Sequence, residues 1–180
     1  MMRILAISGS LRAKSSNTNL LRAAARLAPK GVLITIYTGL GDLPHFNPDL
    51  EGAEPDSAID FRRQLKVSDG VLISSPEYAH GVPGVLKNAL DLVVGSGELV
   101  EKPVALLNAS PRSTHAQASL RETITVMSAR LIDEASITVP LLRKDLDEAG
   151  IASDPQMSGL LRSALAAFAR AIDIGYSRTA

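Results

Sequence analysis

The sequence predicts an α/β fold: a single doubly wound, five-stranded parallel sheet of order 2-1-3-4-5 with helices on both faces. Two observations predict it. Short runs rich in Val, Ile and Leu alternate with longer segments whose apolar residues recur every three or four positions, and most of the short runs lack the polar alternation of a half-exposed strand. The runs are residues 3–8, 32–37, 70–75, 103–108 and 135–139, read as buried parallel strands. Helical spacing covers 17–28, 58–67, 84–94 and 116–131, and a last pattern holds Met157, Leu160, Leu161, Leu165, Phe168 and Ile172. Strict alternation selects a layered sheet with right-handed crossovers. In such a sheet, ligands sit beyond the carboxyl ends of the strands, where the strand order reverses. Residues 39–55, rich in Gly and Pro, form the longest irregular stretch.

Length and composition narrow the classes. A chain of 180 residues suits one domain, here 1–180, and buries about 70% of the surface its unfolded form exposes. Hydrophobic residues make up 46% and charged residues 21%, values of an ordinary globular domain. Lys plus Arg equals Asp plus Glu at 19 each, so no net field draws the chain to nucleic acid or an anionic membrane. The absence of cysteine removes thiolate nucleophiles, disulfides and Cys-ligated metals, so redox chemistry would need a bound cofactor. The N-terminus turns polar too soon for a signal peptide and no apolar run approaches ~18 residues, which points to a cytoplasmic protein.

The loop between the first strand and the first helix, residues 9–16, is rich in hydroxyls. Ser10, Ser15, Ser16, Asn17 and Thr18 offer donors, Arg12 offers a guanidinium, and the helix start adds free N–H groups and a dipole of roughly half a charge. This loop reads either as a phosphate site or as a helix start capped by Ser16 or Asn17. Two rival phosphate motifs fail: Gly9 stands alone where GxGxxG needs three glycines, and Ala13 stands where a P-loop needs the glycine before Lys-Ser. If the loop binds phosphate, a single terminal phosphate fits it better than a pyrophosphate or a triphosphate.

After the third strand comes Ser74-Ser-Pro-Glu-Tyr-Ala-His-Gly-Val-Pro-Gly84, then a helix carrying Lys87, Asn88 and Asp91. The predicted topology sets this loop beside the first one. Pro76 and Pro83 restrict φ, while Gly81 and Gly84 let backbone approach a flat ligand. Pro83 also reads as a helix-start proline, Tyr78 as a cover for apolar surface, and His80 as either a solvated loop residue or the one proton-donor candidate here.

The segment Ser75-Pro-Glu-Tyr-Ala-His-Gly-Val-Pro-Gly-Val-Leu-Lys-Asn-Ala-Leu-Asp91, together with Gly9-Ser-Leu-Arg-x-x-Ser-x-Asn17, resembles the NAD(P)H-dependent FMN reductase family, whose relatives include chromate and quinone reductases and azoreductases. The resemblance implies a flavodoxin-like fold, FMN as cofactor and NADPH or NADH as reductant. It places Ser10, Arg12, Ser15 and Asn17 at the FMN phosphate, with Thr18 or Asn19 as additions. Pro76, Glu77, Tyr78 and Ala79 would border the ribityl chain and ring system. Many members carry Asn and Ser where this chain has Ala79 and Gly81.

The loop after the fourth strand, residues 108–115, reads either as a surface loop ending in a cap at Ser113 or Thr114, or as one that brings Ser110 or Arg112 to the flavin pyrimidine edge. No side-chain nucleophile or base is required, because flavin N5 carries the hydride. His45, His80 and His115 lack metal-ligand spacing. The resemblance further implies a small-molecule electron acceptor (a quinone, free flavin, azo compound or metal oxyanion) shaped in part by residues 43–50. It also implies a homodimer or homotetramer, with Leu86, Leu90 and Val93 either at the subunit contact or facing the sheet. The alternative function is a flavodoxin-like electron carrier or nucleotide-binding protein without reductase activity. A carrier is expected to be acidic and aromatic-rich, whereas this chain has zero net charge and 3% aromatics.

Overall fold

The computed structural model describes residues 1–50, 52–141 and 145–179. The strands are β1 (Met2–Ser8), β2 (Val32–Tyr37), β3 (Gly70–Ser74), β4 (Pro103–Asn108), β5 (Arg130–Leu131) and β6 (Ile137–Thr138). The helices are α1 (Ser16–Arg26), α2 (Asp56–Val67), α3 (Gly84–Asp91), α4 (Thr114–Val126), α5 (Glu148–Ser153) and α6 (Pro155–Thr179). The sheet is parallel in the order β2-β1-β3-β4-β5, and β6 also pairs with β4. Strand order therefore reverses between β1 and β3, as the sequence predicts.

Period-2 alternation divides the core between the two faces of the sheet. Ile4 and Ala6 of β1, Leu72 of β3, and Ala105 and Leu107 of β4 meet Leu20, Leu21, Ile151, Leu165 and Phe168 from α1, α5 and α6. Leu5, Ile7, Val71, Ile73, Val104 and Leu106 meet Phe61, Leu65, Leu86, Leu90, Leu120 and Ile124 from α2, α3 and α4. Each fully buried Leu, Ile or Phe side chain stabilises the fold by about 1.5–3 kcal/mol. Leu86, Leu90 and Val93 belong to the second set, so they face the sheet and are not available at a subunit contact. At the amino edge, Gly70 has no room for a side chain, since a β-carbon there would meet Ile172 Cδ1 at 2.8 Å and Phe168 Cζ at 2.9 Å.

Three elements depart from the sequence reading. The helix expected over 116–131 ends at Val126, because Ser128 adopts φ 59° and the chain returns to the sheet as β5. Serine gives no glycine-type stop signal, which hid this end. The strand expected over 135–139 shrinks to β6. Ser136 replaces part of its ladder: its Oγ accepts from Leu106 N at 3.1 Å and donates to Ile132 O at 2.8 Å. The short α5 was not anticipated, and its signal is Asp147, whose carboxylate accepts from Gly150 N at 2.8 Å. Within the irregular stretch, 3-10 turns cover Leu40–Asp42 and Pro48–Leu50. Among the described residues no helix is long and apolar enough to cross a membrane.

Tyr37, at the end of β2, packs its ring 4.8 Å from that of Phe61. Burial, reinforced by Asp60 and Asp42, pushes its hydroxyl from the ordinary 10.0 up to about 12. The folded state thus favours the protonated phenol, a contribution intact below pH ~10 and lost as pH rises through 12. Tyr37→Phe should remove it: between pH 10 and 12 the natural protein should lose about 2 kcal/mol more than the variant in denaturant titrations.

Candidate functional site

The carboxyl ends of β1, β3 and β4 carry three loops. At the first, the close approach of β1 to β3 sets the geometry. Gly9 N donates to Ser74 O at 2.8 Å, and a β-carbon at Gly9 would lie 2.6 Å from Ser75 Oγ and 3.1 Å from Leu86 Cδ2. A side chain at this position would force Ser75 to shift. Ser74, fully buried, donates its hydroxyl to Asn17 Oδ1 at 2.9 Å, which ties the start of α1 to the end of β3.

Around this junction the loop collects polar side chains. Ser10, Ser15 and Asn17 are buried, whereas Arg12 and Lys14 are exposed and have no ion-pair partner among the described residues. Ser15 caps α1, its oxygen accepting from Thr18 N at 3.3 Å, one residue ahead of the expected Ser16 or Asn17. The first turn of α1 contains no acidic residue. Ser10 Oγ accepts from Arg12 N at 3.4 Å, and Ser10 N donates to Ser8 Oγ at 3.3 Å. The loop therefore combines a helix N-terminus, hydroxyl and amide donors and two free cations. That donor set fits a phosphate dianion. Thr18 and Asn19 are engaged elsewhere: Thr18 Oγ1 lies 2.8 Å from Ser8 Oγ, and Asn19 Nδ2 donates to Leu146 O at 3.1 Å.

The second loop is a tight hairpin. Tyr78 and Gly81 exchange backbone hydrogen bonds of 3.1 and 2.9 Å around Ala79 and His80, whose φ values of 48° and 59° define a type I′ turn. Tyr78 stands 52% exposed on it. Pro76 is partly buried, and Pro83 caps α3 one residue before the first helical position. Glu77 does not project freely: its Oε2 accepts from Ala116 N of α4 at 2.8 Å. His80 stacks on His115 with ring centroids 4.2 Å apart and planes 19° from parallel.

In the third loop, Ser110 N donates to Asn108 Oδ1 at 3.1 Å and Ser110 Oγ accepts from Arg112 N at 3.2 Å. Ser113 is the cap residue of α4, but its side chain makes no capping bond. Arg112 is exposed. A fourth segment joins from beside β2: Asn88 of α3 accepts from Phe46 N at 2.8 Å and donates to Pro44 O at 2.9 Å, which pins the 43–47 strand of loop to α3. The sequence reading did not single out Ser74, Ala116 or the clamping role of Asn88. The paired serines at the end of β3 are the only local signal for the first, and no local signal exists for the others.

The fold and this edge together define a flavodoxin-like protein with a donor-rich loop at the switch point. A sequence profile described as NADPH-dependent FMN reductase matches residues 2–141, and the chain belongs to that family. It is similar to an NAD(P)H-dependent FMN reductase of Pseudomonas aeruginosa, 30% identical over 172 residues that cover 92% of both chains. It is also similar to a quinone reductase of Pseudomonas putida, 39% identical over 112 residues, and this match spans only 60% of either chain. Among solved structures, the flavoenzyme NAD(P)H:(acceptor) oxidoreductase FerB from Paracoccus denitrificans superposes with a TM-score of 0.78 at 25% identity, covering 97% of this chain and 99% of that one.

The type I′ turn carries strain, since neither Ala79 nor His80 is a residue that favours positive φ at no cost. Ala79→Asn should relieve it and stabilise the protein by ~1 kcal/mol, a rise in Tm of about 2–4 °C by calorimetry. An unchanged or lower Tm would show that the turn is not strained at this position.

Proposed function

We propose that residues 1–180 form one FMN-dependent reductase domain that takes hydride from NADPH or NADH and delivers electrons to a small quinone. The observation that carries this reading is the cradle at the switch point: buried Ser10, Ser15 and Asn17, the acid-free first turn of α1, and exposed Arg12 and Lys14. When bound there, FMN supplies the hydride and electron-transfer chemistry. The protein's part is to bind and orient. Ser10, Ser15, Asn17 and Arg12 hold the phosphate through charge-assisted hydrogen bonds. Thr18 stays in the cradle's wall through its contact with Ser8, and does not reach the phosphate while that contact holds.

Pro76, Tyr78 and Ala79 form one border of the ring slot, while Ser110 and Arg112 stand on the loop opposite, where a cation favours an electron-rich ring. No side-chain acid or base is assigned a catalytic role, and His80 is occupied by its stack with His115. Quinone is preferred among the acceptors because the Pseudomonas putida relative is a quinone reductase and a Burkholderia relative, 41% identical over 90 residues, is a 2-hydroxy-1,4-benzoquinone reductase. The chain spans about half the length of the latter. A homodimer or homotetramer is part of the proposal, resting on the family alone.

Absorption spectra of the purified protein with added FMN, then with NADPH or NADH, test the reading. The protein should take up FMN, and the bound flavin should bleach with one or both nicotinamides and recolour on addition of benzoquinone. A protein that stays colourless, or whose flavin never bleaches, excludes it. Arg12→Ala should weaken FMN binding by ~2 kcal/mol, the value of a hydrogen bond to a charged group. Equal affinities in fluorescence titration would remove Arg12 from the cradle.

A further inference from the structure

We propose that Glu77 is a positioning residue: its carboxylate binds the loop after β4 to the turn after β3, so that the two walls of the flavin slot behave as one body. The inference rests on the FMN reading above.

The β3–β4 ladder ends at the pair Ile73–Leu106, before either loop begins, so backbone pairing does not hold the loops together. The start of α4 has its own deficit. The first N–H groups of a helix lack intrahelical partners, Ser113 supplies no side-chain cap, and the first turn of α4 contains no acid. Glu77, 39 residues earlier in the chain, makes up that deficit by accepting from Ala116 N at 2.8 Å. An anion at this end also interacts favourably with the positive end of the helix dipole. A second contact joins the same two segments, the His80–His115 stack at 4.2 Å. Both contacts fall on the first turn of α4, and both originate in residues 77–80. Between them the Tyr78–Gly81 backbone pair makes the turn a stiff unit. Glu77 thus acts on the flavin slot through α4, its carboxylate engaged by Ala116 N.

The test compares Glu77→Ala and Glu77→Gln with the natural protein in two measurements. One is amide hydrogen exchange in the first turn of α4 in FMN-free protein, and the other is the Kd for FMN by fluorescence quenching. Loss of the carboxylate in Glu77→Ala should speed exchange at Ala116 and raise the Kd about tenfold, as one hydrogen bond from a charged group predicts. Glu77→Gln retains an acceptor oxygen and should restore exchange and keep the Kd within about threefold of the natural value. Natural exchange and Kd in Glu77→Ala would overturn the proposal. So would a Glu77→Gln protein with natural exchange but a Kd as poor as that of Glu77→Ala, since charge near the ring and not the tie would then matter. Should Glu77→Ala fail to fold, Glu77→Asp shortens the side chain by one methylene and draws the carboxylate back from Ala116 N. Faster exchange in α4 with weaker FMN binding supports the coupling, and no change in either overturns it. A natural protein that binds no FMN refutes the functional reading, while the exchange data still judge the tie.

Discussion

Gly9 passes the Ser75 hydroxyl at a separation that leaves no space for a β-carbon, and the geometry of the carboxyl edge follows from that passage. Because β1 and β3 close to this distance, Gly9 N reaches Ser74 O and the Ser74 hydroxyl reaches Asn17. The start of α1 is then fixed relative to two strands at once. A phosphate cradle needs such fixing, since a helix N-terminus only favours an anion within its first turn. The reversal of strand order between β1 and β3 supplies the crevice, and the glycine determines how narrow it is.

The electrostatics of the edge complement that geometry. The chain has no net charge, so attraction of an anionic ligand has to arise locally. It arises from Arg12 and Lys14, two cations without acidic partners among the described residues, set against a helix start that also lacks acids. Some cations elsewhere are paired: Arg62 binds both Glu54 and Glu98, and Lys87 binds Asp91 at 2.6 Å. Lys102 is held differently, with its ammonium donating to Leu65 O and Ser68 O at the end of α2, and burial lowers its pKa despite the nearby Asp69 and Glu98.

The second wall is built with less local preference. Ala79 and His80 adopt positive φ in a turn that Asn and Gly would occupy more easily. Such strain persists when surrounding contacts over-determine it. The backbone pair of Tyr78 with Gly81, the His80–His115 stack and the Glu77–Ala116 bond are the contacts that do so here.

Most of the fold was legible in the sequence because parallel strands buried on both faces and amphipathic helices leave different periodicities. The order of strands followed from their alternation, while the composition of the first loop left a phosphate site and a capped helix start both open. The end of α4 was not legible, because Ser128 takes a conformation that glycine usually announces, and the fifth strand was misplaced because the Ser136 side chain substitutes for backbone pairing. Glu77 was read as a neighbour of the flavin, Thr18 and Asn19 as possible phosphate ligands. Tertiary structure turned the Glu77 carboxylate to α4, Thr18 to Ser8 and Asn19 to Leu146. The sequence by itself determined which segments form strands and helices and which loop is rich in donors, since those are properties of neighbours along the chain. Only the tertiary structure decided which donors remain free for a ligand, since each competing partner lies in another segment and is reached only after the strands have paired.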